Sequence, residues 1–176
     1  NGAGKTSLVR CIADGDERTS GRVEIDGVDI ARMPPEKIVS LGVGRKFQSP
    51  SVFGTLTVRD CLQVASWRGR MRSLTKRDAD LVLPAGAASV VERLGLAQVW
   101  SQPAKDISHG QRQALELAMV LALEPSVLIL DEPTAGLSTA ERERVGEVLL
   151  ELVASRRLAI LLIEHDFEFV KRISSR

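Results

Sequence analysis

Residues 127–132 have the sequence Val-Leu-Ile-Leu-Asp-Glu, in which four β-forming apolar residues precede two carboxylates. A second apolar run, Ala-Ile-Leu-Leu-Ile, covers residues 159–163. Apolar runs without polar alternation are typical of strands that are buried on both faces, as in a parallel sheet covered by helices. Because ligands of open α/β sheets bind beyond the carboxyl ends of the strands, Asp131 and Glu132 are predicted to lie at a binding edge.

Segments with apolar residues at helical spacing alternate with these two strands. The predicted helices cover residues 5–13, 111–123, 140–154 and 166–173, and a short strand pair or turn is predicted at 22–30. This order of elements indicates an α/β domain with a mostly parallel sheet.

The middle of the chain has a different character. Helical patterns begin after Thr57 and after Thr75, Pro84 and Pro103 interrupt them, and no strong strand pattern occurs there. The sequence therefore predicts a helical subdomain at about 55–105. We expect it to be inserted into a single, partial domain, residues 1–176, whose core is formed by residues 1–54 and 106–176.

Composition bounds the class of protein. With 44% hydrophobic and 27% charged residues, the chain is globular rather than disordered or fibrous. Its net charge of +1 provides no overall field that would attract nucleic acid or an anionic membrane. No apolar run approaches the ~18 residues of a membrane helix, and the first residues do not resemble a signal peptide, which predicts a cytosolic chain. Cys11 and Cys61 lack metal-site spacing and are predicted to be packed, reduced thiols.

The first residues contain the Gly-Lys-Thr sequence that closes a phosphate-binding loop. In such a loop backbone N–H groups surround phosphates, the lysine neutralises them and the threonine hydroxyl ligates Mg²⁺. The predicted phosphate-binding residues are Asn1, Gly2, Ala3, Gly4, Lys5, Thr6 and Ser7. The alternative is a glycine-rich turn that only caps a helix. The full pattern would begin two residues before Asn1, so we expect the sequence to be part of a chain that is longer at this end and also beyond Arg176.

The two carboxylates at the end of this strand, Asp131 and Glu132, are predicted to have different functions. Asp131 is predicted to ligate Mg²⁺, and Glu132 to orient or deprotonate the water that attacks a γ-phosphate. The alternative is that both carboxylates are merely solvated, which is common for one acid and unusual for a pair after four apolar residues.

Residues 107–113, Ile-Ser-His-Gly-Gln-Arg-Gln, open the helix before the acidic strand. They resemble the Leu-Ser-Gly-Gly-Gln signature of the ATP-binding cassette (ABC) family. The resemblance implies that Ser108, Gly110 and Gln111 contact the γ-phosphate of an ATP held by a second cassette. His109 replaces a glycine of the signature, and its backbone N–H is expected to take the role of the glycine N–H beside the phosphate. Ser108 and Gln111 also match a helix capping box, and both roles can hold together.

Three further segments resemble ABC motifs in the order that the family requires. Gln48 resembles the glutamine that contacts Mg²⁺ and the attacking water, although a lone glutamine is most often a surface residue. His165 resembles the histidine that senses the γ-phosphate and steadies the catalytic glutamate, although a lone histidine is usually structural or solvated. Residues 133–138 resemble the loop that couples the two sites of the dimer. Ser138 stands where this loop of the family usually has an aspartate. Ser138 and Glu141 also match a capping box.

The resemblance implies the P-loop NTPase fold of an ABC ATPase that binds ATP and Mg²⁺ and hydrolyses ATP. It implies a second ATPase subunit, identical or not, transmembrane permease subunits and, indirectly, a solute-binding protein, at the cytoplasmic face of the membrane. Residues 45–53, 108–111 and 135–137 resemble importers for branched-chain amino acids and, more closely, urea or short amides. The alternative is a soluble ABC ATPase that acts on ribosomes or DNA, and no nucleic acid is expected for the importer. The basic stretch 67–77 is predicted to be a solvated loop, with lipid headgroups or RNA as alternative partners.

Overall fold

A computed structural model describes residues 4–13, 20–46, 51–67, 81–154 and 158–174. The first half of this part contains α1 (Lys5–Ala13), β1 (Glu24–Ile25), β2 (Val28–Asp29), α2 (Pro35–Ser40), β3 (Val43–Lys46) and α3 (Val58–Ala65). The second half contains α4 (Ala85–Arg93), a 3₁₀ turn (Ala97–Val99), α5 (His109–Leu121), β4 (Val127–Asp131), α6 (Thr139–Ala154), β5 (Ala159–Ile163) and α7 (Phe167–Ile173).

The central sheet has the strand order β3-β4-β5 and is parallel, as predicted. Lys46 pairs with Leu130, and Asp131 pairs with Ile163, so the carboxyl ends of all three strands lie at one edge. The predicted short pair is also present, because β1 and β2 form an antiparallel ribbon. The register of the sheet therefore places Glu132 and Glu164, which directly follow β4 and β5, at the same edge as Lys46, the last residue of β3.

Strand β4 is the centre of the core. Leu128 and Leu130 belong to one buried cluster, with α3, α4, α5 and α6, while Ile129 belongs to a second cluster, with α1 and α2. Successive side chains of a strand point to opposite faces, so this alternation places helices on both sides of the sheet. The unbroken apolar run predicted this double burial correctly.

Side-chain caps explain where several helices begin. Thr57 caps α3 by accepting a hydrogen bond from the Asp60 N–H, and Asp166 caps α7 by accepting from the Phe169 N–H. Helix α5 begins at His109, two residues before the predicted start, because Ser108 is its N-cap. These caps satisfy N–H groups that have no partner within the helix.

The middle of the chain departs from the prediction in detail. Pro84 does not interrupt a helix but is the N-cap of α4, a position where its missing N–H costs nothing. Pro103 takes part in an isolated β-bridge with Thr57. The helix start predicted after Thr75 lies outside the described residues. Helices α3 and α4 share their buried cluster with α5 and β4, and the boundaries of a separate helical subdomain stay a prediction.

Helix α2 and strand β3 were not predicted. Strand β3 has the sequence Val-Gly-Arg-Lys, which lacks an apolar run. Gly44 allows the strand to approach α5, since a Cβ there would lie 2.6 Å from Val120 Cγ1. None of the described helices has the length and hydropathy to cross a membrane.

Candidate functional site

The two carboxylates after β4 differ in backbone conformation. Asp131 is the last residue of the strand and still pairs with β5. Glu132 has φ +49°, in the left-handed region that non-glycine residues avoid, and its N–H donates to the Ile163 carbonyl at 2.8 Å. The hydrogen bond to β5 holds Glu132 in this strained conformation at the edge of the sheet.

Glu132 contacts the histidine that the sequence predicted. His165 Nε2 lies 2.7 Å from Glu132 Oε1, and the two side chains are 51% and 21% exposed. The two predicted catalytic groups are thus within hydrogen-bond distance of each other, and both remain accessible to a ligand. Their contact allows the imidazole to orient the carboxylate.

Glu164 holds this arrangement in place, a role that was not predicted. Its Oε1 accepts from the Thr134 N–H at 3.0 Å and from the Thr134 hydroxyl at 2.6 Å. Its Oε2 accepts from the His165 N–H at 3.2 Å. One carboxylate therefore connects the loop after Glu132 to the backbone of His165. The signal available in the sequence for this role of Glu164 was its position as a polar residue between a buried strand and His165.

The signature segment forms both hydrogen bonds of the capping box. The Gln111 N–H donates to Ser108 Oγ at 3.2 Å, and the Ser108 N–H donates to Gln111 Oε1 at 3.0 Å. Gly110 permits a close approach of α6, because a Cβ at this position would lie 2.5 Å from Glu141 Oε1. The predicted Ser138 cap is also confirmed, since Ser138 Oγ accepts from the Glu141 N–H at 3.3 Å.

His109 points toward the loop that follows Glu132 in the same chain. Its Nε2 lies 3.3 Å from the Ala135 carbonyl oxygen and 3.2 Å from Gln113 Nε2. Gly136 has φ +74°, and a Cβ there would lie 3.2 Å from the same His109 nitrogen. The bulk that this histidine adds to the signature is therefore accommodated by a glycine of that loop.

A cavity of about 160 Å³ lies beside the signature and is lined by Ser108, Gly110 and Gln111 together with Leu137 and Glu141. A larger cavity, about 600 Å³, lies elsewhere. It is lined by α4, the end of α5 and residues that precede β4 and β5, including Ser126 and Leu158. It is therefore at the amino end of the strands, away from the predicted chemistry.

The phosphate-loop prediction is only partly within the described residues. Asn1, Gly2, Ala3 and Gln48 lie outside them, as do the side chains of Lys5 and Thr6. Gly4 has φ +75°, and its carbonyl accepts from the Leu8 N–H at 2.9 Å, so it leads into α1 at the helix N-terminus. Ser7 is exposed in the first turn. A helix N-terminus of this kind suits phosphate binding.

A magnesium ion fits the chemistry of the predicted ligands. Asp131 presents a half-buried carboxylate at the carboxyl end of β4, and hard oxygen donors of this type are those that Mg²⁺ prefers. The described residues contain no cluster of three or more protein ligands. One or two protein ligands plus substrate phosphates are a common arrangement for Mg²⁺.

The same edge also contains a buried cation. Lys46 ends β3 with its side chain 1% exposed, and its Nζ lies 3.4 Å from Glu116 Oε2. Burial lowers the pKa of Lys46, while the negative charges of Glu116, Glu164 and Asp131 oppose that decrease. The ammonium group is thus part of the electrostatic environment of the acidic edge.

A family model described as ABC transporter matches residues 1–135 of the 176. The chain belongs to the ABC transporter family, as its ATP-binding domain. Among relatives of this ABC domain is the high-affinity branched-chain amino acid transport ATP-binding protein LivG of Escherichia coli strain K12. It is 33% identical over 184 residues that cover 100% of this chain and 72% of LivG.

The corresponding protein BraF of Pseudomonas aeruginosa is 32% identical over 182 residues, which cover 99% of this ABC domain and 71% of BraF. The solved ADP conformation of MJ1267, an ATP-binding cassette of an ABC transporter, superimposes with a TM-score of 0.75 at 26% identity. The superposition covers 98% of this chain and 70% of the MJ1267 chain. The predicted family and the P-loop NTPase fold are thereby confirmed, and ABC domains of this type bind nucleotide.

Proposed function

We propose that this ABC domain hydrolyses ATP and thereby powers the import of a small solute through a membrane permease. The observation that supports this most directly is the 2.7 Å contact between His165 Nε2 and Glu132 Oε1, beside Asp131. A carboxylate that is partly exposed, oriented by a histidine and adjacent to a second acid is suited to position a water at a phosphoryl group.

In this proposal Glu132 is the general base or water-positioning group, and His165 orients it. Asp131, Thr6 and Gln48 are the Mg²⁺ ligands, and bound Mg²⁺ would neutralise charge on the phosphates. Residues 1–7 surround the phosphates of the same subunit with backbone N–H groups and Lys5. Most of the catalysis is positioning and charge stabilisation, because phosphoryl transfer requires little covalent chemistry from the protein.

The second half of the nucleotide site comes from another cassette. Ser108, Gly110 and Gln111 lie at the start of α5, where helix N–H groups and the positive end of the dipole can meet an anion. We therefore propose a dimer, identical or not, in which each signature contacts the ATP held by its partner. The 160 Å³ cavity beside Ser108 shows accessible space next to these residues.

The branched-chain amino acid transport named for LivG and BraF favours a branched-chain amino acid as the solute. Urea or a short amide remains an alternative within the same proposal, and it rests only on the motif resemblance. None of the site residues contacts the solute, because the solute passes through the permease. The ATPase would be held peripherally at the cytoplasmic face by permease subunits, which receive the solute from a binding protein.

The proposal is tested with the full chain tagged in its native host and purified in detergent. We expect a polytopic membrane subunit to co-purify, and the reconstituted complex to take up labelled leucine with ATP. Matched variants are Glu132→Gln, expected to abolish uptake, and Glu143→Gln, an exposed acid on α6 expected to preserve it. Recovery with ribosomes or DNA instead would refute the transport function, and uptake of urea without leucine would reassign the solute.

A further inference from the structure

The turn between β5 and α7 places His165 between two carboxylates. Glu164 precedes the histidine and accepts hydrogen bonds from the N–H and the hydroxyl of Thr134. Asp166 follows the histidine, and its Oδ2 accepts from the guanidinium of Arg142 in the first turn of α6. Thr134 and Arg142 both belong to the segment that follows Glu132. Each sequence neighbour of His165 is therefore tied to that segment.

Helix α7 is held on α6 by apolar packing as well as by this ion pair. Phe169 is 3% exposed and belongs to the larger buried cluster. Gly146 allows the two helices to approach each other, since a Cβ there would lie 3.1 Å from Phe169 Cε2. Arg142 lies four residues before Gly146 and therefore on the same face of α6. The ion pair thus adds a contact at the end of α7 that is next to His165.

Stability alone does not explain an arginine at this position. The side chains of Arg142 and Asp166 are 34% and 31% exposed, and an ion pair that solvent reaches contributes little to stability. The Nε of Arg142 is enclosed and has no hydrogen-bond acceptor among the described residues. A buried donor without an acceptor costs free energy. The guanidinium is therefore better explained by what it holds in place.

The carboxylate of Asp166 is the group that Arg142 holds. Its Oδ1 accepts from the Phe169 N–H at 3.0 Å and thereby caps α7, while its Oδ2 accepts from Arg142. Arg142 thus fixes the orientation of the cap, and with it the backbone that leaves His165. Because His165 Nε2 lies 2.7 Å from Glu132 Oε1, a shift of this backbone would change the contact between the two proposed catalytic groups.

We propose that Arg142 is a positioning residue that, through Asp166, holds His165 against Glu132 during ATP hydrolysis. The inference rests on the proposed function, because that function gives the contact between His165 and Glu132 its purpose. Arg142 acts on the cap of α7, and its effect reaches Glu132 through the turn that contains His165. Glu164 anchors the other side of the same turn, so the histidine is fixed from both of its neighbours.

The first test uses steady-state ATPase assays of the full chain. Arg142→Met removes the cation, while the contact of Phe169 with Gly146 remains, so we expect the variant to fold. Its kcat should fall about 5- to 10-fold while KM for ATP changes less than about twofold, since misplacement of a catalytic group reduces turnover more than binding. Arg142→Lys retains a cationic donor for Asp166 Oδ2 and should keep kcat within about threefold of the unsubstituted chain.

The second test combines Arg142→Met with His165→Ala. If Arg142 acts through the histidine, the double variant should have the kcat of His165→Ala alone, within about twofold. A purely structural role would instead lower kcat by the same factor in both backgrounds, because independent effects on the free energy add. This comparison therefore separates positioning of His165 from a general effect on the fold.

A matched control is Arg93→Met, which removes another ion pair between helices, that of α4 with Glu151 of α6, and should leave kcat and KM unchanged. The proposal is overturned if Arg142→Met hydrolyses ATP at the normal rate, if Arg142→Lys is equally slow, or if the loss is undiminished in the His165→Ala background. It is also overturned if the loss only follows the unfolded fraction measured by circular dichroism. Failure of the proposed function would look different, because the unsubstituted chain would lack activity that depends on Glu132.

Discussion

Two pairs, each of which joins a carboxylate to a side-chain nitrogen, lie near the carboxyl edge of the same sheet, and they differ mainly in exposure. Glu132 and His165 are partly open to solvent, whereas Lys46 and Glu116 are almost completely enclosed. The first pair follows β4 and β5, and the second connects β3 to α5. The edge therefore combines one pair that a substrate can reach with another that it cannot.

This difference in exposure distinguishes a pair that can take part in the chemistry from a pair that can only position other groups. A group that exchanges protons with water or phosphate must be accessible, and its loss should affect turnover more than folding. A buried charged group is compensated by its partner. Removal of one partner leaves an uncompensated charge in the core, so this removal should decrease the stability of the fold. Four predictions test this distinction.

The largest effect is expected for Glu132→Gln. This change removes the proton acceptor but preserves the shape of the side chain, so kcat should fall by about 2 to 3 orders of magnitude or more, while ATP still binds. Steady-state phosphate release and binding of a fluorescent ATP analogue measure the two quantities. Near-normal hydrolysis would remove Glu132 from its proposed role.

The next effect is on stability and concerns the buried pair. Lys46→Met leaves the Glu116 carboxylate without its cation in the core, and the free energy of unfolding should decrease by about 3 kcal/mol. In Lys46→Met/Glu116→Met most of that loss should be recovered. Urea denaturation of the full chain measures both values. A decrease below about 1 kcal/mol for the single variant would mean that the pair is not electrostatically important in the fold.

A smaller effect on turnover is expected for His165→Ala. Glu132 would keep its carboxylate but lose the imidazole that lies 2.7 Å from it, and kcat should fall about 10- to 30-fold. The matched control is His109→Gly, which preserves the backbone N–H of the signature and the Ser108 cap and should change kcat less than about threefold. An equal loss in both variants would show that the His109 imidazole also contributes.

The smallest effect is expected for Ser138→Ala. The Ser138 hydroxyl and N–H hold the pKa of Glu141 below its ordinary value of 4.5. A lowered carboxyl pKa stabilises the fold above pH 4.5, and this contribution is lost as the pH falls through the folded-state pKa. The variant should lose about 1 kcal/mol at pH 7, and its difference from the unsubstituted chain should shrink below pH 4.5. A cost independent of pH in urea denaturation would contradict the role of Glu141.

Much of the fold followed from local patterns. The apolar runs predicted β4 and β5, and the Ser-x-x-Gln and Ser-x-x-Glu patterns predicted the caps of α5 and α6. Strand β3 was not predicted, because Val-Gly-Arg-Lys has no apolar periodicity and becomes a strand only through pairing with β4. Pro84 was misinterpreted as an interruption, since one proline can either end a helix or begin one.

The candidate site likewise contains residues whose roles were predicted from the sequence and residues whose roles were not. Motif order predicted that Glu132 and His165 belong to one site, and the structure places His165 Nε2 2.7 Å from Glu132 Oε1. The roles of Thr134 and Glu164 were not predicted, although both residues belong to the segments that carry the motifs, because a side-chain hydrogen bond across 30 positions leaves no periodic signal.

The sequence by itself determined the family, the order of the motifs and the helix starts, because these depend on residues that are close together along the chain. Only the tertiary structure decided which distant groups meet. Glu116 contacts a backbone N–H 65 positions earlier, and Lys46 is buried rather than solvated because that carboxylate lies 3.4 Å from its ammonium. Such contacts depend on how β3 packs against α5, and no local pattern in either segment specifies that packing.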